Sequence, residues 1–473
     1  MSNDWFSRSL AIKILFTLLA GMCLALAMGQ GCAPSPPSPP APAPPGQFVG
    51  AQVTADESQG CQRCHSNHYD SWVQTNHDGA LETLKAIGQG TNPACIVCHT
   101  VGFGQDGGFV DEATTARLAG VQCENCHGPG RDHVNNVDVV SLRPPTNIAA
   151  AVCGKCHNGS HHPTFDEWSS SAHALVTEDT ATSFAAGTSL STCGVCHSGD
   201  YRKMALIEGV TPVPDDLLKG KTRAEMNAVT CVICHDPHAR TGNAVPNNSG
   251  EDFQLRYPEV TSPTPSNTLA IIFPTVNAAN PIAARYNLCG QCHHSRDATW
   301  TKTTRGPHHS IQSNMYLGEM PLPDNDQTLL VPNIRSVHRF VPKQCATCHL
   351  STEESEVEDV PSDSGHKFLP NLRACAAVGC HPTPEVAQAD MTALQTQVQA
   401  RLDSIAARLG DPATWQYSAE GGPADQSTVS DDIKKIRFLY DWVINDGSKG
   451  VHNPEYTRTI LTNIDNRLTA LGK

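Results

Sequence analysis

The chain has 473 residues and a formal net charge of −14 at pH 7. Because the nucleic-acid backbone is also negative, this charge makes DNA or RNA an unfavourable partner, and we expect none. Aromatic residues make up 5% of the chain and hydrophobic residues 39%, which is modest for a chain of this length. We therefore expect that side chains alone do not complete the core.

The N-terminal segment predicts export. Arg8 and Lys13 precede a 15-residue apolar run, Ile14–Met28, which is the pattern of a secretory signal and is short for a membrane span. We therefore expect residues 1–31 to be a signal peptide of the lipoprotein type, and Cys32 to carry a lipid anchor to the membrane. The mature protein is then expected on the periplasmic side or at the outer surface of the outer membrane.

The region around Cys32 leaves one alternative open. Gly29 stands where a lipoprotein signal usually has Leu, so cleavage after Ala27 would instead leave Cys32 as a free thiol. Exposed free thiols are reactive, which favours lipidation. Residues 32–47 are predicted to form a tether, because the stretch 33–46 has eight prolines in 14 positions. At about 3.1 Å per residue, such a proline-rich segment spans roughly 40 Å.

The motif C-x-x-C-H occurs eight times in the body of the chain. It is the attachment signature of c-type haem, in which two thiols form thioether bonds and the adjacent histidine binds the iron as proximal ligand. The cysteine pairs are Cys61 and Cys64, Cys95 and Cys98, Cys123 and Cys126, Cys153 and Cys156, Cys193 and Cys196, Cys231 and Cys234, Cys289 and Cys292, and Cys345 and Cys348. The proximal histidines are His65, His99, His127, His157, His197, His235, His293 and His349.

Three other uses of paired cysteines fit this pattern less well. Structural zinc combines two C-x-x-C units and does not need a histidine after each one. A disulfide framework suits an exported chain but has no use for the repeated histidine. A thioredoxin-like C-x-x-C would occur once, near a βαβ pattern. Haem attachment explains all eight motifs together, and the porphyrins would add the apolar mass that the composition lacks.

The segment CAAVGCH, Cys375–His381, separates its two cysteines by four residues rather than two. A disulfide does not require the histidine after Cys380, and longer spacings of this kind resemble variant haem-attachment motifs of some multihaem cytochromes. We expect a ninth haem c here, attached through Cys375 and Cys380, with His381 as proximal ligand. The nine motifs then use 18 of the 20 cysteines. The other two, Cys23 and Cys32, lie in the N-terminal segment.

The motifs are arranged as three triplets, which we take as the domain organisation. The predicted three-haem segments are residues 48–152, 153–285 and 286–383. The first two share the spacing W-x-x-x-x-H after their first motif, in Trp72–His77 and Trp168–His173. This self-similarity indicates an internal repeat.

Three stretches carry a family resemblance: CQRCHSNHYDSWVQTNHDGAL, GVQCENCHGPGRDH and CGKCHNGSHHPTFDEWSSSAHA. They resemble the tetrahaem cytochrome family that accepts electrons from hydroxylamine oxidoreductase, whose domain recurs in larger multihaem cytochromes of metal-respiring bacteria. The resemblance covers about residues 55–240 well and 285–382 loosely. It implies a mainly α fold with extensive loops, a multihaem cytochrome c fold with stacked haems as its core.

Residues 384–473 contain no haem motif and are predicted to form a helical bundle. The first helix is indicated by apolar residues at three- and four-residue spacing before Gly410, the second by similar spacing from Ile433 to Val443. The third begins at Asn453-Pro454, where asparagine suits the cap and proline the first helical position.

Each haem iron needs a sixth ligand or an open position, and 13 of the 22 histidines remain for nine irons. The predicted sixth ligands are His77, His133, His162, His173, His238, His308, His338, His366 and His452. The remaining candidates are His68, His161, His294, His309, Met315 and Met320, of which His161 and His309 directly rival their neighbours.

Iron with two histidine ligands has no position for substrate, so the pattern favours an electron-transfer protein without a substrate of its own. The motif C-x-x-C-K, typical of the catalytic haem of multihaem nitrite reductases, does not occur in the sequence. We expect electron transfer along nine haems in respiration or extracellular electron transfer, with other redox proteins as partners, such as cytochromes, quinol-linked complexes or outer-membrane conduits. The alternatives are a reductase of nitrogen or sulfur oxyanions with one open haem, and a self-assembling subunit of an extracellular cytochrome filament.

Overall fold

Short helices joined by loops carry the cysteine motifs. The computed structural model describes residues 48–55, 59–242, 252–256, 288–296, 298–318, 320, 334–341, 344–353, 355, 362–377 and 379–473. The signal segment and the tether, with Cys23 and Cys32, lie outside these residues. In the part described, β-type pairing is limited to isolated antiparallel bridges, at Thr100–Ala119, His235–Leu255 and Glu353–Asp363.

Fourteen short α-helices precede residue 380 in the described residues. They are α1 (Ser66–Trp72), α2 (Ala80–Ala86), α3 (Pro93–His99), α4 (Glu112–Thr115), α5 (Cys123–His127), α6 (Arg131–Asn135), α7 (Thr164–Ser169), α8 (Glu178–Ala185), α9 (Leu190–His197), α10 (Gly199–Arg202), α11 (Cys231–Cys234), α12 (Gln312–Leu317), α13 (Cys345–His349) and α14 (Leu372–Ala377). Single turns of 3₁₀-helix, such as Cys61–Arg63 and Cys289–Gln291, and one π-helical turn, Lys203–Ile207, lie between them.

Three longer helices follow: α15 (Pro384–Leu409), α16 (Asp431–Asn445) and α17 (Pro454–Ala470). Each begins at a side chain that accepts a hydrogen bond from the first turn, Thr383, Ser430 and Asn453 respectively. Such caps satisfy backbone N–H groups that have no partner within the helix. α15 ends at Gly410, whose φ of 85° is a conformation that glycine adopts without strain.

The largest hydrophobic cluster lies between these three helices. Its 18 buried residues come mainly from α15, α16 and α17 and include Trp442 and Tyr456, both 0% exposed. Ala298, Ile311 and Met315 from the motif-bearing part complete it. Two smaller hydrophobic clusters lie in the part of the chain before α15. One has seven buried residues between Phe48 and Leu118, and the other has nine between Val176 and Ala228. Among its described residues, the motif-bearing part therefore has only small clusters of buried apolar side chains.

The first two triplets share a structural anchor. The Nε1–H of Trp72 donates to the carbonyl of Val121 at 3.1 Å, and that of Trp168 donates to the carbonyl of Val229 at 3.0 Å. Each acceptor lies two residues before the third motif of its triplet. Equivalent tryptophans therefore connect the first motif to the third in both triplets, which is consistent with an internal repeat.

Residues Pro42–Lys473 form one compact unit by their internal contacts. The three-haem boundaries at residues 153, 286 and 384 stay predictions. No helix in the described ranges is long and apolar enough to cross a membrane.

Candidate functional site

A helical turn carries each cysteine motif, and this explains the spacing of its residues. Where the turn is short, the N–H of the motif histidine donates to the carbonyl of the first cysteine, as from His65 to Cys61 at 3.0 Å and from His235 to Cys231 at 2.9 Å. Residues three and four apart share one face of such a turn. The two thiols and the imidazole of one motif therefore lie on the same side of the chain.

The longer motif extends beyond the end of its helix. Cys375 lies on α14, and a turn at Gly379, whose φ is 76°, leads to Cys380 and His381. The Cys375 thiol contacts that of Cys348, a cysteine of the preceding motif. No disulfide joins any of the 18 cysteines in the described residues, so thioether attachment is open to each pair.

Seven motif histidines each lie opposite one predicted sixth ligand at nearly the same separation. The distances between ring centroids are 6.2 Å for His77 and His157, 6.3 Å for His99 and His162, 6.1 Å for His127 and His238, 6.1 Å for His173 and His293, 6.1 Å for His197 and His308, 6.3 Å for His235 and His366, and 6.2 Å for His349 and His452.

This separation fits two imidazoles on opposite sides of one metal ion. A metal–imidazole bond is about 2.0 Å long and the nitrogen lies about 1.1 Å from the ring centroid, so two such ligands place their centroids about 6.2 Å apart. Rings in direct van der Waals contact lie closer, as His308 and His309 do at 4.0 Å. The chain thus spaces these pairs as haem iron requires.

Two other histidine contacts have similar separations. His157 also lies 6.0 Å from His162, but His162 is the partner of His99, so pairing each histidine once leaves His157 with His77. His65 lies 6.4 Å from His68. Three residues span at most about 10 Å, which is less than the path around a porphyrin edge, so His68 does not reach the opposite face of the haem of His65.

The two remaining motif histidines also have neighbours among the predicted ligands. His133 lies close enough to His65 to lower its pKa, an effect that adds to that of burial and of His68. His381 acts in the same way on His338, whose pKa is lowered mainly by burial. Every predicted sixth ligand is therefore near a motif histidine, and its role as a ligand stays a prediction.

Burial keeps most of these imidazoles neutral, which is the form that binds metal. It lowers the pKa of His157 and His173 to about 4 and that of His308 to about 3. His452 differs: burial lowers its pKa, but the charge and hydrogen bond of Asp446 prevail and raise it above the usual value.

The second ring nitrogen of several motif histidines is fixed by the backbone. Because a carbonyl oxygen only accepts, Nδ1 carries the proton and Nε2 is left to face the iron. Nδ1 donates to a backbone carbonyl oxygen in four motif histidines: His99 to Ala80 at 2.8 Å, His127 to Pro145 at 2.8 Å, His235 to Phe253 at 2.7 Å and His349 to Phe368 at 2.8 Å.

Known proteins share these motifs. The family profile described as cytochrome c554 and c-prime matches residues 60–128. Cytochrome c-554 of Nitrosomonas europaea is 35% identical over 102 residues, which cover 18% of this chain and 43% of that protein. The multihaem cytochrome MtrA of Shewanella baltica is 27% identical over 176 residues, which cover 31% of this chain and 45% of that protein.

The chain is a multihaem c-type cytochrome. It spans less than half the length of each of these two relatives. Two solved structures show the same fold. Outer cell wall cytochrome OcwA has a TM-score of 0.52 at 21% identity, over 81% of this chain and 78% of that one. The undecahaem cytochrome from the S-layer of Carboxydothermus ferrireducens has a TM-score of 0.53 at 17% identity, over 91% of this chain and 70% of that one. The predicted mainly α multihaem fold is thus confirmed.

Cysteines of different motifs in this cytochrome contact one another. We number the sites 1 to 9 in chain order, so that site 1 begins at Cys61 and site 9 at Cys375. The contacts between thiols join sites 1 and 3, 2 and 4, 4 and 6, 5 and 7, and 8 and 9, through Cys61–Cys123, Cys98–Cys156, Cys153–Cys231, Cys196–Cys292 and Cys348–Cys375.

Electrostatic contacts link these groups further. Burial raises the pKa of Cys126 and Cys234, and nearby Cys153 and Cys292 respectively add to this effect, which joins sites 3 and 4 and sites 6 and 7. His293 acts on His349, joining sites 7 and 8. The neighbours form a line in the order 1, 3, 4, 6, 7, 8 and 9, with site 2 beside site 4 and site 5 beside site 7.

Two buried carboxylates that contact predicted sixth ligands of this cytochrome were missed by sequence reasoning. Glu167, 4% exposed, accepts from the backbone N–H of Ser364 at 2.9 Å and of His366 at 2.8 Å. Asp446 accepts from His452. Neither lies in a haem motif. Glu167 meets His366 across 199 positions of the chain, whereas Asp446 lies six positions before His452 at a spacing that no motif marked.

The histidines and methionines outside the pairs have other surroundings. His294 is 2% exposed and its carbonyl accepts from Ser310. Met315 is 0% exposed within the bundle cluster, and Met320 packs against that cluster. His161 is exposed. Within the described residues, no group of three or more His, Cys, Asp or Glu side chains converges as a metal-ion site.

Proposed function

We propose that this cytochrome is an electron conduit with nine c-type haems, each held between two histidines. The observation that carries the proposal is the set of histidine pairs with centroids 6.1 to 6.3 Å apart. Bound haem supplies one-electron exchange between ferric and ferrous iron. The chain supplies two imidazoles per iron, which leave no position for a substrate.

The order of neighbouring sites supports a path for electrons that runs along the molecule between two end sites. The line of contacts ends at sites 1 and 9, and the exposed cysteines are Cys64 in site 1, Cys126 in site 3 and Cys380 in site 9. Redox partners can approach most closely where the attachment sites are exposed. We infer that electrons enter at one of these ends and leave at the other, with other cytochromes as the partners.

The same proposal places the protein outside the cytoplasm. Covalent haem attachment takes place there in bacteria, and the apolar run Ile14–Met28 with Cys32 and the proline-rich stretch supports an exported, lipid-anchored chain. The acidic net charge of −14 favours partners with basic docking surfaces over nucleic acid.

The decisive measurement is the spin state of the nine irons in the purified holoprotein. We expect low-spin spectra and little binding of carbon monoxide. The replacement His173→Ala removes one sixth ligand while the thioethers retain the haem, so one high-spin signal and new carbon monoxide binding should follow. His161→Ala is the matched control, because His161 is exposed and outside the pairs, and it should leave both readouts unchanged.

A wild-type protein with an open haem and rapid turnover of nitrite or hydroxylamine would overturn the conduit and favour the reductase. An unchanged spectrum of the His173→Ala protein would overturn the pairing of His173 with His293.

A further inference from the structure

Asp446 is a buried carboxylate beside a proposed iron ligand. It follows the last residue of α16 and is 2% exposed. Its Oδ1 accepts from Nδ1 of His452 at 2.7 Å, and its Oδ2 accepts from the hydroxyl of Ser448. A charge this well buried is weakly screened, so its effect on His452 is larger than that of a surface charge.

Other proposed ligands have weaker acceptors at Nδ1. His99, His127, His235 and His349 donate to neutral backbone carbonyl oxygens. His381 lies 3.4 Å from Asp390, whose side chain is 64% exposed. The pair of His452 and Asp446 is shorter, and the side chain of Asp446 is 0% exposed.

Asp446 is also tied to the neighbouring site. The side chain of Gln312 accepts from Nδ1 of His293 in site 7 with Oε1 at 3.0 Å, and its Nε2 donates to the backbone carbonyl of Asp446 at 3.3 Å. The proximal histidine of site 7 thus faces a neutral amide, while the distal histidine of site 8 faces a carboxylate. The Nδ1 partners of these two histidines therefore differ by one buried negative charge.

We propose that Asp446 is a positioning residue that gives His452 anionic character and lowers the reduction potential of site 8. The proposal rests on the proposed function, in which His452 is the sixth ligand of site 8. A carboxylate that accepts the Nδ1 proton raises the basicity of the ligating nitrogen. A more basic ligand stabilises ferric iron over ferrous iron, so site 8 releases its electron more readily to site 7 or site 9.

The replacement Asp446→Asn tests the proposal in the intact holoprotein. The amide oxygen of asparagine still accepts the Nδ1 proton, so the geometry is retained and the charge is lost. In spectroelectrochemical titration, we expect the midpoint potential of one haem to shift upward while the others stay in place. Electron paramagnetic resonance should show altered g-values for one low-spin centre. The matched control is Asp390→Asn, because Asp390 is exposed and its charge is screened by water, and we expect no comparable shift.

A second variant should act in the opposite direction. Ser448→Ala removes a hydrogen bond to Asp446, which leaves more of the carboxylate charge for His452, so the same midpoint potential should move downward. Low-spin g-values of one centre with imidazolate character are expected already in the wild type, which keeps the proposal testable if Asp446→Asn fails to fold. Absence of such a centre, or equal shifts for Asp446→Asn and Asp390→Asn, would overturn the proposal.

The replacement His452→Ala separates this proposal from the proposed function. A new high-spin centre shows that His452 is a ligand, and an unchanged potential in Asp446→Asn would then reject only the role of Asp446. Without a new high-spin centre, the ligand assignment at site 8 and the role of Asp446 both fail.

Discussion

At the scale of single residues, the hydrogen bond that Nδ1 donates determines which ring nitrogen of each histidine is available to bind a metal. A backbone carbonyl, as at His99 or His235, fixes the ring and leaves Nε2 to bind iron. Burial then holds the imidazole neutral by lowering its pKa, as for His157. The fold therefore prepares its histidines for metal binding through ordinary backbone contacts, and only a few charged side chains are needed.

The number of haems is a prediction that depends on two residues, Cys375 and Cys380. The thiol of Cys375 contacts that of Cys348, and His381 lies near His338, so this segment is placed as the other motifs are. The intact mass of the mature protein should therefore contain nine haem additions. The double replacement Cys375→Ser and Cys380→Ser should contain eight, because serine forms no thioether. A wild-type mass with eight additions would contradict the ninth site.

At the scale of elements, the two parts of the chain differ in what local sequence predicts. The bounds of α15, α16 and α17 follow from apolar spacing and from the caps at Thr383, Ser430 and Asn453, all of which are local signals. The earlier helices have four to eight residues, as in α4 and α8, which is too short for periodicity to show. Only the motifs indicated where those turns lie.

The sequence also provided candidate sixth ligands but not their pairing. His366 is near His235 and His452 is near His349 because the chain returns to an earlier motif. Such contacts between distant residues depend on the tertiary path of the whole chain, which local sequence patterns do not encode. The supporting carboxylate Glu167 was missed for the same reason, because it meets His366 across 199 positions of the chain. Asp446 lies only six positions before His452 and was missed because that spacing belongs to no haem motif.

We expect α15, α16 and α17 to resist proteolysis even in chain produced without haem attachment. Their cluster has 18 buried residues, whereas the motif-bearing part has clusters of seven and nine. Burial of apolar surface contributes about 25 cal/mol per Å², so the bundle has the larger stabilisation independent of porphyrin.

Limited proteolysis with mass spectrometry should therefore yield a fragment that begins near Pro384. Trp442→Ala is the control, because loss of a buried tryptophan costs about 3–5 kcal/mol and should abolish the resistance. Equal resistance of the motif-bearing part would show that it folds without haem.

At the scale of the whole molecule, the proposed lipid anchor depends on Cys32, which lies outside the described residues. A lipid on Cys32 would hold the folded body at a membrane through the proline-rich tether. Cys32→Ser should therefore move the haem protein from the membrane fraction to the soluble fraction. Unchanged fractionation, with haem content equal to the wild type, would show that another feature holds the protein there.

The pairing of histidines from distant segments also sets the order in which the proposed haem sites can receive both ligands. As the chain is synthesised from its N-terminus, the motif at His127 is made long before its partner His238, and that at His349 before His452. A site of this kind stays without its partner until the later stretch is made, whereas His157 and His293 find partners made earlier, His77 and His173. A polypeptide that stops before His452 would therefore lack the proposed sixth ligand of site 8, and the loop between α16 and α17 would complete the last of these pairs.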